Sequence, residues 1–234
     1  MIDYSQLKLT KENQDTYFHL KLKVEIISDE TKSFTGKLLD LGCGKMPYKK
    51  IINKNVLIKE YVGVDIKNDI YQKDIEPDFY WDGLSLPFQE NSFDCAIIIE
   101  VLEHVPDATV VLKEVFRVLK PGAQVLITVP FLWNLHDVPH DEFRYTPFSL
   151  RRICEQSGFV VKKMEKLGGW HASLATMLST YVRRAPLSNF NRKLLTFLVF
   201  PVVRYLFRKD KLNNQTSNFS ESQMITGLKC VLIK

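Results

Sequence analysis

Two stretches hold most of the residues able to do chemistry. In Leu38-Leu39-Asp40-Leu41-Gly42-Cys43-Gly44 an apolar, strand-like run leads straight into two glycines spaced G-x-G. Glycine permits the tight turn and lets a ligand come up against bare backbone. Twenty-five residues after Asp40, the run Tyr-Val-Gly-Val-Asp ends in Asp65, close to the roughly 20-residue offset at which an acid takes a ribose hydroxyl. The second stretch, 131 to 146, crowds His136, Asp137, His140, Asp141, Glu142, Arg144 and Tyr145 together. A loop this rich in titratable groups is an active-site candidate; a solvated surface loop is the plain alternative. Two histidines with acids between them also admit a divalent ion on His136 and His140.

The elements that must position these residues follow from periodicity. Short apolar, β-branched runs alternate with helical patterns from residue 36 onward, the signature of a mostly parallel sheet covered by helices. Strands are expected at 37–41, 61–66, 79–81, 93–99, 124–129, 160–167 and 228–233, with helices between them. One should occupy 107–119, until Pro121-Gly122 ends the pattern, and another should start near Pro147, with 149–157 closed by Gly158. Both chemical stretches then fall at carboxyl ends of strands, where open α/β sheets bind ligands. Residues 1–35 read as a helical lead-in and Asn213 to Gln223 as a polar loop.

Composition agrees with a globular enzyme-sized chain: 234 residues, 45% hydrophobic, 25% charged. The net charge of +5 is unevenly spread, with 16 basic against 23 acidic residues before Arg144 and 16 against 4 from it onward. The four cysteines are far apart and lack metal-ligand company, so neither a disulfide framework nor a zinc site is expected. No signal-like segment is seen at the N-terminus, and a cytoplasmic location is expected.

Nicotinamide dinucleotides and S-adenosylmethionine both use a G-x-G turn followed by an acid. A dinucleotide site wants a third glycine opening a helix toward the pyrophosphate, whereas Lys45-Met46-Pro47-Tyr48 follows Gly44. With Asp40-Leu41-Gly42-Cys43-Gly44, Asp65, Asp82-Gly83-Leu84 before Leu86-Pro87-Phe88, Asn91-Ser92-Phe93-Asp94, Glu100-Val101-Leu102-Glu103-His104-Val105 and Leu119-Lys120-Pro121-Gly122 in that order, the chain resembles the class I S-adenosylmethionine-dependent methyltransferases of type 11. The resemblance covers about 36 to 167. It implies an α/β, doubly wound, Rossmann-like sheet of seven strands, mostly parallel with the last strand antiparallel. It also implies a cofactor site made of Asp40, Leu41, Gly42, Cys43, Gly44, Asp65, Ile66, Asp82, Gly83, Leu84, Ile99 and Glu100. Met46 stands where the family usually has a further glycine.

Residues 138 to 150 resemble a stretch in type 11 enzymes of polysaccharide and glycolipid assembly, which implies O-methylation of a sugar hydroxyl. A lipid, quinone or other small molecule is the alternative acceptor, and a non-catalytic cofactor-binding module the alternative of a different class. Deprotonating a hydroxyl calls for a base with a pKa near working pH. His140, oriented by Asp141 or Asp137, is the expected base and His104 the reserve; Trp133, His136, Arg144 and Tyr145 are expected to hold the acceptor. No resident metal is expected.

Residues 168–226 form a helical insertion before the last strand, 227–234. Its apolar run Leu194 to Phe207 is too short to span a bilayer, at about 21 Å as a helix against roughly 30 Å of hydrocarbon. Between 183 and 211 lie eight bases, Arg183, Arg184, Arg192, Lys193, Arg204, Arg208, Lys209 and Lys211, against one acid, Asp210. That is the composition of a segment lying on an anionic membrane. The alternative is a helix pair packed on the domain or on a second subunit; nucleic acid is not expected.

Overall fold

A computed structural model describes residues 7–67, 76–210 and 217–234. Seven strands, β1 (Gly36–Leu41), β2 (Ile58–Ile66), β3 (Phe79–Trp81), β4 (Phe93–Ile99), β5 (Leu119–Pro130), β6 (Val160–Leu167) and β7 (Gly227–Ile233), form one sheet in the order β3-β2-β1-β4-β5-β7-β6. β1 to β5 pair in parallel, and β7 runs antiparallel between β5 and β6. Strand order reverses between β1 and β4, so their carboxyl ends diverge into the crevice where such sheets bind ligands.

Both faces of the sheet are covered, which is why its strands read as unbroken apolar runs. Alternate residues serve opposite cores: Leu39, Leu41, Ala96, Ile98, Val125 and Ile127 pack on one side, Leu38, Cys95, Ile97 and Leu126 on the other. The first side carries α3 (Ala108–Val118) and α4 (Pro147–Gln156). Asp107 caps α3 through Thr109 N and Val110 N, and Thr146 caps α4 in a reciprocal pair with Ser149. The second side carries α1 (Tyr17–Glu30), the single-turn α2 (Lys49–Ile52), α5 (Trp170–Arg184) and α6 (Asn189–Lys209).

The expected strands are all present, but β5 begins at Leu119, directly after α3, and includes the Pro121-Gly122 pair expected to follow the helix. No helix intervenes between β3 and β4, where a turn starting at Asp82 makes the connection. The polar loop expected at 213 to 223 lies partly outside the described residues, as does the lead-in before residue 7.

α1 is fixed to the sheet by charge as well as packing. Lys229 of β7, 2% exposed, reaches Glu30 at 2.5 Å and Glu165 at 2.6 Å, and Lys163 joins Glu30 at 3.2 Å. Phe18 of α1 stacks on Phe207 of α6 with ring centroids 4.9 Å apart. Asp210, the one acid of the basic stretch, is buried and accepts from Gly169 N and Ala172 N, closing the N-terminus of α5. Arg192 binds the carbonyls of Val182, Arg183 and Ala185 at the other end of α5. Arg184 pairs with Asp15 at 2.9 Å. Arg183 lies 4.0 Å from the same acid, so three of the eight bases hold the helix pair in place, while Lys193, Arg204, Arg208 and Lys209 are exposed on α6. α6 is longer than its apolar run and continues through Pro201; among the described residues no helix is long and apolar enough to cross a membrane.

Candidate active site

At the crevice between β1 and β4 lies a cavity of about 200 Å³ lined by Asp40, Gly42, Cys43, Gly44, Ile99 and Glu100, with Lys23, Lys45, Pro47 and Tyr48 completing its wall. Gly42 has φ +69°, and a Cβ there would lie 2.3 Å from the Val101 side chain, so glycine is required. Gly44, at φ +51°, faces open space, and its N–H donates to Asp65 Oδ2 at 2.7 Å. The acid at the end of β2 therefore holds the turn at the end of β1. Burial raises the Asp65 pKa despite hydrogen bonds from Gly44 N and Ile66 N.

Asp40 is buried beneath this turn and accepts a short hydrogen bond from the Tyr61 hydroxyl. Burial, reinforced by Asp65, pushes its carboxyl up to about 7 against that bond. Burial likewise pushes the Cys43 thiol up, so it is no nucleophile. Met46 takes the left-handed conformation, φ +49°, which a glycine would adopt freely. Its side chain is buried in the space left by Gly63, where a Cβ would meet Met46 Sδ at 3.0 Å. Asp82 caps its own turn, accepting from Leu84 N and Ser85 N, and Ile66 and Leu84 are exposed at the carboxyl ends of β2 and β3.

Lys23 was not among the sequence candidates. It enters the cavity from α1 and lies 3.7 Å from Glu100 Oε2, while Glu100 Oε1 accepts from the Thr128 hydroxyl. Burial would lower the Lys23 pKa, but Glu100 and Tyr48 outweigh it and the net shift is upward. His19, one turn earlier, carries a buried Nε2 with no hydrogen-bond partner among the described residues; burial and Lys23 pull its pKa to about 3, so it is neutral.

The 131–146 loop divides its expected roles differently. Asp141 does not orient His140: its oxygens bind Arg144 at 2.6 and 2.8 Å and His136 N at 3.1 Å, with His136 Nδ1 at 3.2 Å. The Arg144 bonds, first among these, bring the Asp141 pKa down to about 2. Ionised throughout the neutral range, Asp141 is an anchor for the loop. His140 has an exposed side chain, and its carbonyl receives His104 Nδ1 at 3.0 Å. Tyr145 does not face an acceptor: it is 5% exposed, its ring is in the core and its hydroxyl donates to Leu102 O at 3.0 Å. Trp133 lies between His19, 4.4 Å away edge-to-face, and Arg184, 5.2 Å over the ring, so it joins the loop to α1 and α5.

A methyltransferase domain model matches residues 39–127, from the glycine turn to β5. A demethylmenaquinone methyltransferase of Staphylococcus aureus (strain JH9) is 35% identical over 177 aligned positions, covering 59% of this chain and 73% of that protein. The chain belongs to the S-adenosylmethionine-dependent methyltransferases. A demethylmenaquinone methyltransferase of Staphylococcus haemolyticus (strain JCSC1435) is 31% identical over 117 positions, 46% of this chain, and the match spans about half, 49%, of that relative. In fold, the chain is similar to a SAM-dependent methyltransferase from Archaeoglobus fulgidus, with a TM-score of 0.55, 18% identity, and coverage of 98% and 97% of the two chains.

The residues of this methyltransferase fit its cofactor. Lys23 and Glu100 set a cation and an anion side by side at one end of the cavity, complementary to the zwitterionic amino-acid end of S-adenosylmethionine. Gly44 leaves the wall open beside Asp65, and the exposed Ile66 and Leu84 offer apolar surface farther along. Lys23 is a candidate that the sequence does not mark: it is one of two lysines in α1, with Lys21, and only the docking of that helix singles it out.

Proposed function

We propose that this methyltransferase acts at an anionic membrane surface on an acceptor carried by a lipid, of the quinone kind for which its staphylococcal relatives are named. The observation that carries this reading is the outer face of α5 and α6. Trp170, Leu174, Met177 and Tyr181 make an exposed stripe on α5, and Phe190, Leu194, Phe197, Leu198, Val202 and Tyr205 an exposed apolar surface on α6. Exposed bases on α6 lie among them. Apolar groups that enter the interface beside bases that meet anionic headgroups make a reversible membrane contact. Arg184, at the end of α5, lies over Trp133, so this surface is continuous with the 131–146 loop.

Bound at the glycine turn, S-adenosylmethionine supplies an electrophilic methyl group. Asp65 is the candidate for its ribose hydroxyls, with Lys23 and Glu100 for its amino-acid end. The acceptor must meet that methyl group in line, with its proton removed. His140 is assigned the proton: its ring is exposed at the loop, and the His104 bond to its carbonyl fixes the backbone there. O-methylation of a lipid-linked sugar is the second reading, supported by the same membrane-facing helices and the polar His140 loop.

Incubation with labelled S-adenosylmethionine and chemically reduced demethylmenaquinone, the hydroquinone that can act as a nucleophile once deprotonated, in anionic vesicles should give the labelled methylated product, with less transfer in neutral vesicles. Transfer to a lipid-linked sugar but not to the quinone supports the second reading. Equal activity with and without vesicles, on a water-soluble acceptor, overturns both.

A further inference from the structure

Beyond the cofactor cavity, the 3-10 turn Leu102–His104 after β4 places Glu103 inside the protein. Its side chain is 0% exposed, and neither carboxylate oxygen has a hydrogen-bond partner among the described residues. A buried carboxylate in that condition needs a cation, a proton or a ligand to account for it. Two imidazoles stand beside it. His104 Nε2 lies 3.8 Å from Glu103 Oε1, the His104 and His136 ring centroids are 4.7 Å apart, and one ligand atom from each of the three residues lies within 4.8 Å of the others.

We propose that Glu103, His104 and His136 bind a divalent transition-metal ion of the zinc class. Two nitrogen ligands and one carboxylate suit such an ion. Ligands at about 2.1 Å from a tetrahedral ion lie about 3.4 Å from one another, so side-chain rotations that close the triangle by an ångström or so suffice. His104 Nδ1 is on the His140 carbonyl at 3.0 Å, a partner that sets its tautomer and leaves Nε2 for the ion. His136 Nδ1 lies 3.2 Å from Asp141 Oδ2 without hydrogen-bond geometry, near enough to that carboxylate, whose charge Arg144 fixes, for a small ring rotation to make the bond. Asp137 Oδ2, 3.9 Å from His104 Nε2, is near enough to supply a further oxygen.

Three protein ligands leave at least one coordination position for an oxygen of the acceptor. That role rests on the methyl-transfer reading; metal binding itself does not. The test is a titration of the chelator-stripped full chain with Co(II), followed by visible absorbance, without cofactor or acceptor. One equivalent should bind with ligand-field bands of a nitrogen and oxygen site. Glu103→Gln and His136→Asn should each weaken binding at least 10-fold, Asp141→Asn about 10-fold, and His171→Asn, on the exposed start of α5, should leave it unchanged. Circular dichroism verifies the fold of each variant. Should Glu103→Gln fail to fold, the wild-type stoichiometry and the Asp141→Asn shift decide. Failure to take up one equivalent, or equal uptake by wild type and the folded ligand variants, overturns the site. Failure of methyl transfer to a quinone leaves a positive titration standing.

Discussion

Met46 shows how one residue can depart from a family pattern and be accommodated. The turn needs a left-handed residue at that position, which costs a side chain about 1 to 2 kcal/mol, while burying a methionine returns roughly 1.5 to 3 kcal/mol. The two nearly cancel because Gly63 leaves room for the sulfur. Met46→Gly should therefore cost only about 1 kcal/mol, whereas Met46→Ala keeps the strain and loses the side chain, costing about 2 to 5 kcal/mol. Urea denaturation of the two variants should show glycine as the milder replacement. For the cofactor, Asp65→Ala should weaken S-adenosylmethionine by about 1 to 3 kcal/mol through loss of a charged acceptor. Calorimetry measures it, and unchanged affinity would remove Asp65 from the site. Asp65 and the glycines were legible because their spacing is local to strand ends; Lys23 was not, because nothing within α1 marks the turn that meets Glu100.

At the scale of elements, the 131–146 loop and the α5–α6 pair each use charge to set position. His140→Ala should lower turnover about 10²-fold with cofactor affinity retained, as loss of a general base does; single-turnover rates beside calorimetry separate the two effects. Unaltered turnover would return the exposed ring to solvent. On α6, Phe197→Ser combined with Leu194→Ser should reduce co-sedimentation with anionic vesicles by well over 10-fold, since each exposed apolar group offers up to roughly 1.5 to 3 kcal/mol on burial. High salt should weaken wild-type binding by screening Lys193, Arg204, Arg208 and Lys209. A salt-insensitive dimer that ignores vesicles would assign the same face to a second subunit.

Over the whole molecule, two buried groups give stability opposite dependences on pH. His19 has a folded pKa of about 3, so the unfolded chain binds its proton first as pH falls below about 6.5, and its contribution declines toward acid. Asp40 has a folded pKa of about 7, so the native state holds its proton while the unfolded chain loses it above about 3.9. Its contribution declines as pH rises from there to 7. Between about pH 4 and 6.5 the slopes oppose each other, each up to about 1.4 kcal/mol per pH unit. His19→Gln should thus make the folded cofactor-free protein gain stability relative to wild type as pH is lowered through that window, and Asp40→Asn should make it lose stability. Denaturant titrations at several pH values measure the slopes; parallel profiles for all three proteins would contradict this balance.

Sequence by itself determined the seven strands, apart from the early start of β5, the helix after Asp107, the helix near Pro147 and the glycine turn, because alternation, breakers and turns are written in adjacent residues. It also placed the 131–146 loop at the sheet's carboxyl edge. What it could not assign were partnerships across the chain. Asp141 reads as a companion of His140, its neighbour in the chain, yet the loop folds it onto Arg144 and His136. Asp210 reads as a lone acid in a basic run, yet it closes α5. Tyr145 reads as a loop aromatic, yet its ring enters the core. Lys23, Glu103 and Lys229 acquire their roles only when α1, the turn after β4 and β7 come together around the sheet. Local backbone preference acts over a few residues, whereas desolvation and charge pairing depend on which surfaces meet, and that is decided by tertiary packing.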